Sequence, residues 1–248
     1  MTVPEEVVAL FGWRGKGTPN IADKDSPLSV AIASGLFERL GVTRVSKESG
    51  QTLGSNFEAA IADFVRSSLV GAERPFEVGR HVITEFVQYR HLARLERLLA
   101  ESDPEGVLRA ELGGDYLIKP DVTVGLRSED RGLYLHAAIS CKWTIRSDRV
   151  QNIRHEGVIL GRHRRGRQPH IVTVTCEPLP TRLAAIARGT GEVDCVYHVA
   201  LDEIVEVMAQ LDREGRFSLS SELDVMVELR EQDRLRPLDV LPEILRFA

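Results

Sequence analysis

The chain has 248 residues, of which 43% are hydrophobic and 28% are charged, and its formal net charge is −5. This length is enough for one large domain or two small ones, and the hydrophobic fraction supports a substantial buried core. The sequence has no apolar run as long as a membrane span and no signal-peptide pattern at its start. Its negative net charge excludes a surface covered throughout with the positive charge that binds DNA.

Three helical patterns occupy the first part of the chain. Residues 27–40 and 54–70 carry apolar residues at helical spacing. Residues 82–101 carry one leucine-rich apolar face and end at Ser102-Asp103-Pro104. We expect a helix over each of the three ranges.

Strands and helices alternate in the second part of the chain. Its patterns predict strands at 117–124 and 133–143 joined by a polar turn at 127–132, a helix from Ser147 to about Arg162, a strand at 170–176, a helix near 181–188, a strand at 194–199 and a helix at 201–211. The short connections favour an α/β fold with a mixed β-sheet flanked by helices. Because no repeat or linker interrupts the sequence, we expect residues 1–248 to form a single domain.

The three cysteines, Cys141, Cys176 and Cys195, are an odd number and are widely spaced. This spacing indicates neither a disulfide framework nor a zinc site. A reduced, cytoplasmic setting is the simplest expectation.

The most informative stretch begins where an apolar strand ends at Ser140-Cys141-Lys142. Asp121 opens the preceding strand, and Glu156 follows on the next predicted helix. Taken alone, each residue is better explained as a strand-end or helix-surface charge. Together, two carboxylates and a Lys are the components of a metal-dependent nuclease site, so Asp121, Lys142 and Glu156 are the predicted catalytic residues.

Hydrolysis of a phosphodiester needs an activated water and stabilisation of the negative charge that develops on the phosphate. Carboxylates hold Mg²⁺, which supplies both effects, and a neighbouring Lys can orient the water. We therefore expect Mg²⁺ to bind Asp121, Glu156 and the main-chain carbonyl of Cys141. Ser140 occupies the position that is acidic in the usual motif of this kind, so Glu156 is expected to replace that acid from the helix.

Arg146, Asp148 and Arg149 follow the predicted site directly. Arg can bond guanine O6 and N7 together, and Asp can accept a hydrogen bond from cytosine N4, so these residues are predicted to read G·C pairs. A two-fold dimer would double two such pairs into a four-base core. The alternative is an ordinary helix start with an internal ion pair.

Basic residues are concentrated in 142–167, whereas 201–248 is acidic. A basic patch on an acidic protein fits a localised DNA groove. We assign contacts with the DNA backbone to Arg164, Arg165 and Arg167, although a solvated charged loop is the alternative.

The sequence resembles the type II restriction endonucleases that cut sites with a CCGG core, and most closely those of the NgoMIV type. The resemblance covers most of the chain and is strongest in residues 50–58, 136–156, 169–175, 178–182 and 189–198. It implies a restriction-endonuclease-like fold, Mg²⁺-dependent cleavage of double-stranded DNA, and a bacterial restriction-modification system with a cognate DNA methyltransferase. It also implies a homo-oligomer, because enzymes of this type are tetramers built as dimers of dimers.

The resemblance adds further site residues. Glu58 resembles another acidic member of the catalytic site, and Gln51 resembles a minor-groove contact. Asp23 and Arg182 resemble residues that read the outer base pair, with Asp25 beside them.

Two departures from the family pattern concern this chain. The hairpin between Asp121 and Lys142 is much shorter than in the family's type enzyme, which bears on oligomer contacts. Asp25 stands where that enzyme has a Ser, which bears on the outer base pair. We expect Asp25 to pair with Arg182 or to face solvent, and the alternative is that it caps the helix beginning near Pro27.

The expected activity is cleavage of GCCGGC after the first G, which leaves 5′ overhangs. One alternative is a nuclease of the same superfamily with another CCGG-containing site. The other is a DNA-binding protein without catalytic activity, against which the complete set of Asp121, Lys142 and Glu156 argues.

Overall fold

The structure is a computed structural model that describes residues 3–15, 17–44, 51–114 and 116–247, without the side chains of residues 51, 112 and 147–149. The helices described are α1 Glu5–Val8, α2 Pro27–Arg39, α3 Gln51–Ser68, α4 Arg90–Ser102, α5 Val107–Leu112, α6 Ser147–His163, α7 Pro180–Ala187, α8 Leu201–Arg213, α9 Ser220–Glu231 and α10 Leu241–Phe247. The strands described are β1 Trp13–Arg14, β2 Thr18–Pro19, β3 Phe76–Gly79, β4 Val122–Ser128, β5 Gly132–Lys142, β6 His170–Thr175, β7 Cys195–His198 and β8 Leu235–Pro237.

A mixed β-sheet organises the fold. In the described part of the chain, β3 to β8 form six strands that neighbour one another in chain order, while β1 and β2 form a separate antiparallel pair. β3, β4 and β5 run antiparallel, whereas β5 to β8 run parallel. The helices that connect the parallel strands cover the sheet, so the predicted mixed α/β class is confirmed.

Most predicted elements are confirmed within a few residues of their expected ends. The prediction of one helix over 82–101 is wrong in its first part, where two 3₁₀ turns, Ile83–Glu85 and Val87–Tyr89, precede α4. The buried Gln88 side chain bonds both the N–H and the carbonyl of Leu135, at 2.9 and 2.7 Å. These contacts with β5 hold the segment in a conformation that local helical periodicity does not reveal.

The strand predicted at 117–124 is also displaced, since β4 begins at Val122 and continues to Ser128. Pro120 has no N–H to donate to a strand ladder, which explains why regular pairing starts after it. Asp121 therefore lies immediately before the strand. Its position is set by the pairing of Val122 with Ile139 in β5.

Short and C-terminal elements were not predicted, among them β3, β8, α9 and α10. β8 has the sequence Leu-Arg-Pro and pairs with β7 at the edge of the sheet. Three residues are too few for strand periodicity to be recognised.

Alternate residues of β5 contribute to two buried clusters. Ala137, Ile139 and Cys141 belong to the larger cluster, and Ala138 belongs to the smaller one. Because successive strand residues point to opposite faces, both faces of β5 are covered. None of the helices in the described ranges is both long and apolar enough to cross a membrane.

The ends of three strands meet at one edge of the sheet. Lys142 at the end of β5 is in register with Thr175 at the end of the parallel β6. The antiparallel β4 begins at this same edge, just after Asp121. Polar residues that are distant in sequence are thereby brought together.

Candidate functional site

Asp121 is bonded to the end of β5. One carboxylate oxygen, Oδ2, accepts hydrogen bonds from the backbone N–H of Cys141 at 2.8 Å and from Lys142 Nζ at 2.5 Å. Both charged side chains are largely shielded from solvent. The Asp that directly precedes β4 and the Lys that ends β5, both named as site residues from sequence, are thus in direct contact.

Glu156 approaches the same strand from α6. Its Oε2 lies 3.5 Å from Ser140 Oγ, so the helix carboxylate faces the position that lacks an acid. Burial, reinforced by the charge of Asp121, raises the pKa of Glu156 above its usual value, and Lys142 opposes that rise. Removal from water and a neighbouring carboxylate together make a nearby positive charge favourable.

Gly157 allows α6 to lie in this position. A Cβ at Gly157 would come within 2.0 Å of the backbone oxygen of Glu192, in the segment that leads to β7. A larger residue would force the helix away from that segment. The direction of the adjacent Glu156 side chain therefore depends on close packing of the backbone.

Glu58 of α3 adds a third carboxylate, which is paired with Arg80 at 2.6 Å. Burial and the charge of Asp121 raise the pKa of Glu58, while Arg80 and Lys142 lower it. Arg80 follows β3 directly and is half exposed. Two cations, Arg80 and Lys142, thus face three carboxylates.

These groups surround an open cleft of about 700 Å³, which we call the carboxylate cleft. Asp121 is joined to it through Lys142. The cleft is lined by Arg14, Asn20, Leu53, Gly54, Ser55, Glu58, Arg80, Cys141, Lys142, Trp143, Thr144, Arg146, Asn152 and Glu156.

The donor set available to a metal consists of oxygen atoms. Among the described residues, no three His, Cys, Asp or Glu side chains are grouped closely enough to form a metal site by themselves. Mg²⁺ is commonly held by one or two carboxylates together with waters and phosphate oxygens. The Cys141 side chain is an unsuitable ligand, because it is buried in the core and burial raises the pKa of its thiol well above the usual value.

Residues 143–146 connect β5 to α6 and carry Arg146 into solvent. Trp143 is buried, and its indole N–H donates to the Asn20 carbonyl at 3.2 Å. The backbone N–H of Ile145 donates to the Glu177 carboxylate at 2.8 Å. Arg146 follows in an extended conformation at the N-cap position of α6. Two buried contacts therefore fix the segment that presents Arg146.

A second cleft of about 520 Å³, the arginine cleft, adjoins the first. Arg14, Thr144 and Arg146 line both clefts, so the two form one continuous surface. The arginine cleft is lined by Arg14, Ala22, Asp23, Lys24, Asp25, Thr144, Arg146 and Arg182.

Asp23 and Arg182 are paired on the wall of the arginine cleft. The hydrogen bond from Arg182, together with the backbone N–H of Asp25, holds the pKa of Asp23 below its usual value. The two residues predicted to read the outer base pair thus lie side by side, although 159 positions separate them in the chain.

The alternative in which Asp25 caps α2 is wrong. The cap is Ser26, whose side chain accepts from the backbone N–H of Ser29 at 3.2 Å. Asp25 is exposed, and its own N–H donates to Asp23 Oδ1 at 3.1 Å. Asp25 thus belongs to the turn that the Asp23 side chain closes, and Ser26 is the residue that caps α2.

Some predicted site residues fall outside the described side chains or away from the clefts. The side chains of Gln51, Asp148 and Arg149 are not among those described, although their backbone opens α3 and α6. The loop bearing Arg164, Arg165 and Arg167 leads into the start of β6, which pairs with Ala137 rather than with Lys142. That loop therefore lies toward the opposite end of the sheet from the carboxylate cleft.

Three charged residues in or behind the two clefts were not identified from sequence. Arg14 and Arg80 line the clefts, and the buried Glu177 binds the segment behind them. Each stands alone in the sequence, outside any motif with diagnostic spacing. A basic residue at the end of a strand, such as Arg14, or directly after one, such as Arg80, is too common to indicate a site.

The similarity of this chain to known proteins extends over nearly its whole length. Residues 5–129 and 125–246 match the family described as NgoMIV restriction enzyme. The chain is also 38% identical over 275 residues to the type II restriction enzyme NgoMIV of Neisseria gonorrhoeae, an alignment that covers 94% of this chain and 91% of that protein.

Proposed function

The chain belongs to the NgoMIV restriction enzyme family and is a type II site-specific deoxyribonuclease; we propose that it cuts double-stranded DNA at a palindrome with a CCGG core in a Mg²⁺-dependent reaction. One observation carries the proposal. The Asp121–Lys142 pair adjoins a cleft whose lining includes both Glu156 and Arg146. Groups suited to hydrolysis and to base recognition thus share one surface.

Asp121, Glu156 and the carbonyl of Cys141 are the groups we assign to Mg²⁺. The raised pKa values of Glu156 and Glu58 support a cation site, because buried carboxylates beside Asp121 are favoured in the ionised form by added positive charge. In such a site Mg²⁺ supplies polarisation of a phosphate oxygen and activation of water.

The protein's own side chains orient the reacting groups. Asp121 holds the Lys142 ammonium at the end of β5. There the ammonium can direct a water and offset the negative charge on a phosphate oxygen. Glu58 holds Arg80 beside the same cleft, where its guanidinium can bind a phosphate. In both cases a carboxylate orients the cation in the protein without DNA.

Base recognition is assigned to the surface beyond the carboxylate cleft. Arg146, Asp148 and Arg149 are proposed to read the CCGG core through guanine acceptors and a cytosine amino group. Arg146 is exposed at the junction of the two clefts, which supports this role. Gln51 is proposed to contact the minor groove.

The outer base pair is assigned to Asp23 and Arg182. Arg182 can donate to guanine and Asp23 can accept from cytosine N4, so we propose G·C at the outer position and GCCGGC as the site, cut after the first G. Asp25 is exposed and needs no partner in the free protein, which is compatible with this preference. Arg164, Arg165 and Arg167 are proposed to contact DNA phosphates on a separate surface.

We also propose that residues 1–248 form one domain that assembles as a dimer of dimers. The palindromic site motivates two-fold symmetry, since each half-site needs its own copy of the reading residues. A cognate methyltransferase and a bacterial cytoplasmic setting complete the proposal, because an enzyme of this specificity requires protected host DNA.

Digestion of a fully sequenced plasmid with Mg²⁺, followed by sequencing of the ends, tests the proposed activity. We expect ends at GCCGGC with 5′ overhangs, and no cutting by D121N. Ends at another CCGG-containing sequence would favour the first alternative. Site-specific binding without cutting would favour the second, an inactive DNA-binding protein.

A further inference from the structure

Glu177 is a carboxylate with no exposed surface, and it lies two residues beyond the end of β6. Its Oε2 accepts from the backbone N–H of Ile145 at 2.8 Å, and its Oε1 accepts from the backbone N–H of Leu179 at 3.1 Å. Arg182 Nη1 is 3.7 Å from Oε2. One side chain therefore contacts two segments, the one that leads to Arg146 and the one that opens α7.

Each contact of Glu177 leads to a residue of the arginine cleft. Ile145 directly precedes Arg146, and Leu179 occupies the N-cap position of α7, the helix that carries Arg182. Arg182 in turn is paired with Asp23. Glu177 thus connects the segment that presents Arg146 to the pair formed by Arg182 and Asp23.

We propose that Glu177 is a positioning residue for base recognition, which fixes the placement of Arg146 relative to Arg182 and so makes discrimination at the outer base pair depend on this buried carboxylate. The inference rests on the proposed function of the arginine cleft. Glu177 has no exposed surface, so it acts through the residues it binds and not through contact with DNA.

The energetic character of Glu177 is consistent with this role. Burial raises the pKa of Glu177 to about 7, although two backbone hydrogen bonds and Arg182 act in the opposite direction. The cost of burying the charge therefore exceeds the stabilisation from its partners. Ionisation of Glu177 therefore costs the fold stability, and the proposed role rests on its hydrogen bonds to Ile145 and Leu179.

The charged and titratable groups around Glu177 define what a change of pH can do. Arg182 faces it from α7, and Asp23 faces it from the segment before α2. The His198 Nε2 of β7 is 3.1 Å from the Glu177 carbonyl, and burial lowers the pKa of His198 to about 4. Burial raises the pKa of the adjacent Cys176 thiol well above its usual value. Of these groups, Glu177 is the one that changes charge near neutral pH.

The variant E177Q separates positioning from packing. Gln has nearly the same volume, but it offers one acceptor where Glu offers two, and it carries no charge toward Arg182. D212N is the matched control, because Asp212 Oδ1 also accepts a backbone N–H, that of Leu219 at 2.7 Å, in a segment that lines neither cleft.

The measured quantity is the ratio of single-turnover cleavage rates on GCCGGC and on the same duplex with A·T outer pairs. We expect E177Q to lower this ratio by roughly tenfold or more, within the range of one lost base contact, and D212N to leave it unchanged. The wild-type ratio should rise between pH 6 and pH 8 as Glu177 ionises, and the E177Q ratio should stay flat.

Wild-type discrimination in folded E177Q would overturn the positioning role, as would equal pH profiles for the two proteins. If E177Q does not fold, E177D, which keeps the charge but shortens the reach to the Ile145 N–H and to Arg182, should also lower the ratio, and wild-type discrimination in folded E177D would overturn the role instead. A wild-type enzyme that does not prefer GCCGGC at all would contradict the proposed function, which is a separate result.

Discussion

Replacement of Glu156 by Gln is the perturbation that most sharply tests the arrangement of the carboxylate cleft. The substitution keeps the volume and an oxygen for the contact with Ser140, and it removes the charge. A unit charge at about 5 Å, with an effective dielectric constant of about 20, is worth about 3 kcal/mol. Because each 1.36 kcal/mol is roughly a tenfold change in rate, we expect E156Q to be slower by at least about a hundredfold.

The stability of E156Q should move in the other direction. Burial makes the ionised form of Glu156 costly, as its raised pKa shows, so removal of the charge should leave the melting temperature unchanged or slightly higher. A slow but stable variant is the combination expected of a functional carboxylate.

The assay is single-turnover cleavage of a short duplex with saturating Mg²⁺, with the melting temperature recorded for each protein. E206Q removes the same charge from the exposed surface of α8, where Glu206 pairs with Arg39, and it should cut at the wild-type rate. A near-normal rate in folded E156Q would refute the assignment and would leave Ser140 without a replacement acid.

The remaining predictions concern catalysis, base reading, packing and pH. D121N should abolish cleavage and keep DNA binding, as a gel-shift assay would show, and Mg²⁺-dependent cutting by it would remove Asp121 as principal ligand. R146A should cost roughly 1–3 kcal/mol of discrimination at one G·C pair. Removing the basic charges of 164–167 should instead weaken binding to all sequences and flatten the salt dependence of binding. The reverse pattern would mean that the two assignments are exchanged. G157A should lower the free energy of unfolding by about 1–3 kcal/mol, because its Cβ meets a backbone oxygen at 2.0 Å, and urea unfolding at the wild-type midpoint would exclude that clash. Burial raises the pKa of Glu177 from 4.5 in the unfolded chain to about 7. The free energy of unfolding of the wild type, relative to that of E177Q, should therefore fall by roughly 3 kcal/mol as the pH rises from the lower of these values to the higher. A difference in unfolding free energy that does not change with pH would contradict the raised pKa.

Local pattern was enough to predict the parts of the fold where one face of an element is apolar. α3 and α8 follow their helical periodicity, and β5 follows an apolar run that ends at Lys142. The segment before α4 was mispredicted because Gln88 forms its hydrogen bonds with β5, a partner far away in sequence. Tertiary contacts of this kind override local periodicity without leaving a local pattern.

The same distinction applies to the site. Asp121 and Lys142 could be predicted to meet, because a hairpin of short length brings its strand ends together. The pair formed by Asp23 and Arg182 could be named only by resemblance, since nothing in either segment reveals that they touch. Glu177 was not predicted, because a single acid after a strand is indistinguishable from a surface residue until its burial is known.

Cleavage of one labelled duplex that contains a single GCCGGC site tests the central claim most directly. With Mg²⁺, we expect each strand to be cut at the bond after the first G, and with EDTA we expect both strands to remain intact. An uncut duplex in Mg²⁺, cutting at other bonds, or equal cutting in EDTA would contradict the assignment of a Mg²⁺-dependent, CCGG-reading nuclease to these clefts.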